Sequence, residues 1–153
     1  MSNYKIEVEV LDGGKLPFKA HPTDAGFDLF ATEDVTMGHG SVTKHPLNIK
    51  LSLPKGTYAQ IASKSGLGSK GLLVYAGIID ESYRGIPHVV GTYLTNVLQC
   101  MFVSEDTSIT IKKGAKLAQL IMHPYSPEYY MEQVESVSQD TERGSGGFGS
   151  TGS

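Results

Sequence analysis

The 153-residue chain has a single cysteine, Cys100. One thiol can close no internal disulfide and cannot build a cysteine-based zinc site. This suits a reducing compartment, the cytoplasm, or the nucleus for a eukaryotic or viral protein. Cys100 lies in the apolar run VLQCMFV and reads as a small core residue rather than a nucleophile. No apolar run approaches the roughly 20 residues that span a bilayer. The opening MSNYKIEVEVLDGG alternates charged and apolar residues and lacks the apolar stretch of a signal peptide. No membrane association is expected. Positive charge is also short: 13 basic against 16 acidic side chains give a net charge of −3. Direct nucleic-acid binding is therefore not expected, and any polyanion contact must be local. The five histidines (His21, His39, His45, His88, His123) show no metal-ligand spacing. No long amphipathic helix is visible, and residues 128–137 lean towards a strand.

What the chain does have is a period of two, the mark of half-buried strands. Residues 5–10 read KIEVEV and put Ile6, Val8 and Val10 on one face. Residues 48–53 turn Ile49, Leu51 and Leu53 inward, and 108–112 do the same with Ile109 and Ile111. Residues 58–62 and 71–75 suit short strands. Between them stand the turn signals Asp12-Gly13-Gly14, Gly38-His39-Gly40, Pro54-Lys55-Gly56 and Lys113-Gly114. Such spacing predicts an all-β sandwich or barrel. Eighteen glycines exceed the usual level of about 7%. Many fall in the final SQDTERGSGGFGSTGS, where Phe148 is the only large apolar residue. That segment buries too little to offset its ordering entropy and is expected to be mobile without a ligand. By composition alone a spare tail outweighs a ligand-folding flap.

Two segments, at 66–71 and 144–149, match the dinucleotide pattern GxGxxG, and 144–151 imitates a phosphate-binding P-loop. All are rejected. The first is followed by the strand-like LLVYAGII, the second by four residues, and Ser150 stands where a P-loop needs lysine. Two other stretches carry more chemistry. Ser63-Lys64-Ser65-Gly66-Leu67-Gly68 follows a strand, and a helix start there would aim N–H groups, the Ser65 hydroxyl and the Lys64 charge at an anion. On this stretch alone an ordinary capped turn is the favoured reading. In Ala76-Gly77-Ile78-Ile79-Asp80-Glu81-Ser82-Tyr83-Arg84-Gly85 an acidic pair directly follows an apolar strand. Asp80 is a candidate general base and Tyr83 a platform for a sugar or ring, against the plainer reading of a polar turn.

Taken in order, these segments resemble the trimeric dUTPase family. Five motifs carry the resemblance across nearly the whole chain: Ala25-Gly26-Phe27-Asp28-Leu29; Ser63-Lys64-Ser65-Gly66-Leu67; Gly77 through Asp80 and Tyr83 to Gly85; Gly114-Ala115-Lys116-Leu117-Ala118-Gln119-Leu120; and Arg143-Gly144-Ser145-Gly146-Gly147-Phe148-Gly149-Ser150-Thr151-Gly152. The resemblance implies a jelly-roll-like β domain over 1–138, a glycine-rich flap over 139–153, and a homotrimer with sites at subunit interfaces. It implies Mg²⁺-assisted hydrolysis of dUTP to dUMP and pyrophosphate. Asp80 would activate the water that attacks the α-phosphorus, and Asp28 would hold Mg²⁺–triphosphate through a bound water. Lys64, Ser65, Gly66 and Gln119 would contact the phosphates. Tyr83 would pack under the deoxyribose, and the main chain at Gly77, Ile78 and Ile79 would read the uracil. Arg143 would meet the phosphates, while Phe148, Gly149 and Ser150 close over the nucleotide.

The chain departs from the family pattern at Ser63-Lys64, where Pro-Arg is usual, and at Lys116, where arginine is usual. Lysine is a point charge without the bidentate fork. The 86–113 segment is longer than typical, and Pro87 removes a ladder donor there; a protein partner could dock on it. A dCTP deaminase relative and a non-catalytic nucleotide-binding regulatory module are the alternatives.

Overall fold

The computed structural model describes residues 4–95 and 107–137. Eleven strands and one helical turn make up its regular structure, so the expected all-β, jelly-roll-like class holds. Among the described residues every pairing between named strands is antiparallel. Strand β1 (Glu7–Val10) pairs with β5 (Ile49–Ser52), and β3 (Val35–Gly38) pairs with β10 (Ser108–Ile111). A three-stranded sheet orders β4 (Thr43–Pro46), β9 (His88–Tyr93) and β7 (Leu72–Ala76). The sheet that positions the chemistry has four strands in the order β2 (Gly26–Phe30), β11 (Lys116–Pro124), β6 (Thr57–Ala62) and β8 (Ile78–Ile79).

Alternation explains the core. Ile49, Leu51 and Leu53 point inward as predicted and join Leu29, Met37, Leu72, Val89, Leu117 and Leu120 in one buried cluster. Each such side chain contributes about 1.5–3 kcal/mol when fully removed from water. Val10 departs from the prediction: it lies at the end of β1 and is 45% exposed, while Ile6 and Val8 pack against the core. Residues 128–137 form no strand. They run exposed, outside every strand among the described residues, and Tyr129, Tyr130 and Met131 lie almost wholly in solvent. Loose alternation there had no sheet edge to join.

Strand β11 breaks its own alternation. Its register to β2 slips between Lys116 and Ala118, so Leu117 is an extra residue in a β-bulge. Leu117 and Ala118 are consequently both buried, and Lys116 is turned towards β2.

Candidate active site

The described site residues fall into two groups on the four-stranded sheet. The first surrounds Asp28, which is only 5% exposed on β2. One of its carboxylate oxygens pairs with Lys64, and the other accepts Lys116 at 2.6 Å. Burial works to raise this carboxyl. Hydrogen bonds from Lys116 and Lys64, together with their charges, outweigh it and hold the group below the usual carboxylate range. Two cations facing one anion leave the cluster net positive. In the next register position Gln119 stands opposite both Asp28 and Ala62, and its Nε2 donates to the Ser63 carbonyl at 2.9 Å.

Lys64 is also the cap residue of the helical turn α1 (Ser65–Gly68), with extended backbone and no side-chain cap. The N–H groups of a first helical turn have no intrahelical acceptor. Ser65 and Gly66 therefore present theirs on an exposed turn, beside open space where a Cβ on Gly66 would meet nothing. The Ser63 hydroxyl is spent on structure, accepting the Val74 N–H at 3.1 Å.

The second group lies at the other end of β6, on the short edge strand β8 and the loop after it. Ile79 pairs with Ala59 and is buried, whereas Ile78 is 62% exposed. Gly77 cannot be another residue without backbone movement: a Cβ there would lie 2.6 Å from Ile61 Cβ and 2.8 Å from its carbonyl oxygen. The same close approach lets Ile61 N–H donate to Gly77 O at 2.7 Å, so that carbonyl already has one donor. Exposed Asp80 follows, and a tight turn brings Tyr83 N–H to Asp80 O at 3.0 Å. The Tyr83 ring lies over Gly85, where any Cβ would collide with it, and its hydroxyl donates to Ile86 O at 3.2 Å. Asp80 stands between two clefts. One, of about 310 Å³, is lined by Gly77, Ile79, Tyr83 and His88; the other, of about 520 Å³, by Tyr58, Glu81, Ser82 and Tyr125.

Sequence reasoning overlooked three groups here. The Glu81 carboxylate accepts Gly56 N–H at 2.7 Å and Tyr125 O–H at 3.2 Å. Arg84 Nη1 donates to the carbonyls of Glu81 (2.7 Å) and Tyr83 (3.0 Å). The acidic pair Asp80-Glu81 was the available signal; its partners, distant in sequence, were not. Likewise Lys116 stands in the sequence only as a lysine where arginine is usual, and its pairing with Asp28 depends on the bulge.

One chain does not bring the two groups together. Ile79 pairs with Ala59, placing Asp80 near Tyr58, whereas Gln119 and Lys64 cluster beyond Ala62. At about 3.3 Å per residue, Tyr58 and Ser63 are separated by ~16 Å. Arg143, Phe148, Gly149 and Ser150 lie outside the described residues, as do Cys100 and part of the 86–113 segment.

A family model described as dUTPase matches residues 12–152. The deoxyuridine 5'-triphosphate nucleotidohydrolase of Clostridium tetani is 38% identical over 99% of this chain and 99% of its own length. Among solved structures, a Staphylococcus bacteriophage 80alpha dUTPase mutant with dUpNHpp superposes with a TM-score of 0.83 at 28% identity, covering 97% of this chain and 99% of that one. A mutant dUTPase from phage phi11 of S. aureus, described with a structural Mg(II) ion, gives a TM-score of 0.73 at 26% identity over 86% of this chain and 97% of that one.

Proposed function

The chain belongs to the dUTPase family and is a dUTP diphosphatase; from that premise we propose how its residues divide the hydrolysis of dUTP to dUMP and pyrophosphate. The observation that carries the assignment is Asp80, an exposed carboxylate at the meeting of two clefts, fixed to the end of an edge strand and followed by Tyr83. Asp80 orients a water and takes its proton as the water oxygen bonds to the α-phosphorus. The bond from that phosphorus to the α,β-bridging oxygen breaks, and pyrophosphate leaves with the electron pair. A positioned base of this kind contributes about 10²–10⁴-fold.

Among the described residues strand β8 pairs with β6 alone, so its outer edge offers main-chain donors and acceptors to a base. Ile78 and Ile79 present that edge to uracil; Gly77, whose carbonyl is engaged by Ile61, sets the approach. Tyr83 packs against the deoxyribose and leaves no room for a 2′-hydroxyl. Lys64, Ser65, Gly66 and Gln119 take the phosphate chain, whose transfer requires positioning and charge neutralisation more than covalent help.

The donor set bears on magnesium. Among the described residues no group of three or more histidine, cysteine or acidic side chains converges to hold an ion. Asp28 is a single carboxylate already paired with two ammonium groups. This fits Mg²⁺ carried by substrate phosphates and touched by Asp28 through water, since the ion keeps waters and favours phosphate oxygens. Such an ion would offset phosphate charge. The phi11 relative's structural Mg(II) ion supports magnesium use in general terms.

The ~16 Å between the two groups supports sites shared between copies, Asp80 and Tyr83 from one and Asp28, Lys64 and Gln119 from a neighbour, in a homotrimer. Residues 1–138 form the catalytic domain and 139–153 the flap, through Arg143, Phe148, Gly149 and Ser150. The compartment is reducing, with the cytoplasm first. Phosphorus NMR with dUTP, UTP, dCTP and dTTP in parallel tests the reading. Conversion of dUTP alone is expected, with Asp80→Asn binding dUTP but turning it over at least 100-fold more slowly. Near-normal turnover by that variant removes Asp80 as the base.

A further inference from the structure

Among the described residues the Asp80 side chain makes no hydrogen bond, so its place is set by what holds its two neighbours. On one side Ile79 is buried and paired with Ala59. On the other is Glu81. We propose that Glu81 is a positioning residue for Asp80, its carboxylate locking the catalytic loop to the β5–β6 turn and to the end of β11. This rests on the assignment of Asp80 as base.

The lock is a closed triangle of three chain segments. A single oxygen, Glu81 Oε2, accepts Gly56 N–H at 2.7 Å and Tyr125 O–H at 3.2 Å. The third side joins the two donors' own segments, Tyr125 N–H donating to Gly56 O at 2.8 Å. Gly56 sits in the turn with φ of 73°, a left-handed conformation that glycine adopts without penalty. Partial burial first, then the neighbouring Glu81 carboxylate, raises the Tyr125 hydroxyl above the usual tyrosine range, so the phenol keeps the proton it donates. From within the loop Arg84 ties the carbonyls of Glu81 and Tyr83 together. Without the Glu81 acceptor, the loop loses its tie to the β5–β6 turn and to the end of β11 and keeps the pairing of Ile79 and the bond from Tyr83 N–H to Asp80 O. A misplacement of 1 Å in a reacting group can cost about 10²-fold in rate, whereas ground-state binding is more forgiving.

The test uses the full chain and separates kcat from KM for dUTP, with dUpNHpp affinity measured alongside. Glu81→Ala should lower kcat about 10–100-fold while KM and dUpNHpp affinity move less than about threefold. Glu81→Gln keeps an oxygen that accepts both hydrogen bonds and should stay within about threefold of wild type. Tyr125→Phe loses one of the two and should fall between them. In an Asp80→Asn background Glu81→Ala should cost nothing further, because it acts through Asp80. The inference is overturned by a Glu81→Ala kcat within twofold of wild type, by Glu81→Gln being as impaired as alanine, by a loss appearing only in KM, or by an undiminished loss in the Asp80→Asn background. If Glu81→Ala does not fold by circular dichroism, the Gln and Phe variants decide. Failure of the wild type to hydrolyse dUTP, or full activity of Asp80→Asn, overturns the assignment of Asp80 and this inference with it. Loss by Asp80→Asn without loss by the Glu81 and Tyr125 variants removes only the positioning role.

Discussion

Two inactive variants should rescue each other. Asp80→Asn removes the base at one end of β6, and Lys64→Ala removes a phosphate-side cation at the other; Asp28 keeps Lys116 in the second variant. Both groups must come within hydrogen-bond reach of one nucleotide, about 3 Å, yet along one chain they are ~16 Å apart. If each site takes Asp80 from one copy and Lys64 from its neighbour, an equal mixture draws each intact half with a chance of one half. About a quarter of the sites are then whole. Co-expression with different tags and purification of the mixed oligomer, followed by pyrophosphate release from dUTP, measures this directly. The expected rate is about 25% of wild type, far above the mean of the two variants alone. Activity no greater than that mean, in an oligomer proven to contain both chains, would mean that one chain supplies both halves and that the division of labour drawn from the sheet is wrong.

Further outcomes follow from the packing and the charges. Asp28→Ala removes the buried carboxylate shared by two partly exposed lysines. Removing one partner of a fully buried pair costs about 3–5 kcal/mol; here both lysines can turn to solvent, so about 2–3 kcal/mol is expected by urea unfolding, and no measurable loss would argue against the pairing. Because the folded Asp28 carboxyl is depressed, its contribution is present above the unfolded value of about 3.9 and lost as pH falls through the lower folded value. Acid unfolding curves of wild type and Asp28→Asn should therefore converge at low pH. His45 is buried on β4, and its Nε2 accepts Thr32 N–H at 3.0 Å; burial chiefly lowers its proton affinity. The unfolded chain then takes up this proton first, so stability should decline as pH falls below about 6.5, and a His45→Gln variant should flatten the thermal-melt dependence between pH 7 and 5. Deleting 139–153 should leave a folded protein with little dUTP turnover; full turnover by the truncated chain would dismiss the flap.

How much of this could be read in the sequence depended on where each strand lies. Residues 5–10, 48–53 and 108–112 showed their alternation because their strands belong to two-stranded pairs with one face towards the core. Strand β11 did not, since it lies between β2 and β6, buries several neighbouring positions, and changes phase at Leu117. Residues 128–137 misled for the opposite reason: alternating letters cannot make a strand without an edge to pair with. In the site, Asp28, Lys64, Asp80, Tyr83 and Gln119 stood out as motif residues, but nothing in their spacing revealed that two lysines share one carboxylate. Nor could Glu81 be joined to Gly56 and Tyr125, because those contacts close only after β6, β8 and β11 have aligned.

The bulge at Leu117 also bears on how the chain tolerates insertions and deletions. In a regular strand, removing one residue swaps every later side chain to the opposite face. Upstream of the bulge stands Lys116 with its carboxylate partner; downstream stand Gln119 and Leu120, one reaching Ser63 and the other in the core. The extra residue is a phase joint between these two stretches. A regular β11 that kept Leu117 would put Lys116 and Gln119, three positions apart, on opposite faces; deleting Leu117 leaves them two apart and keeps both directions, at the cost of one buried leucine. The bulge is thus where β11 can lose a residue without moving its chemistry.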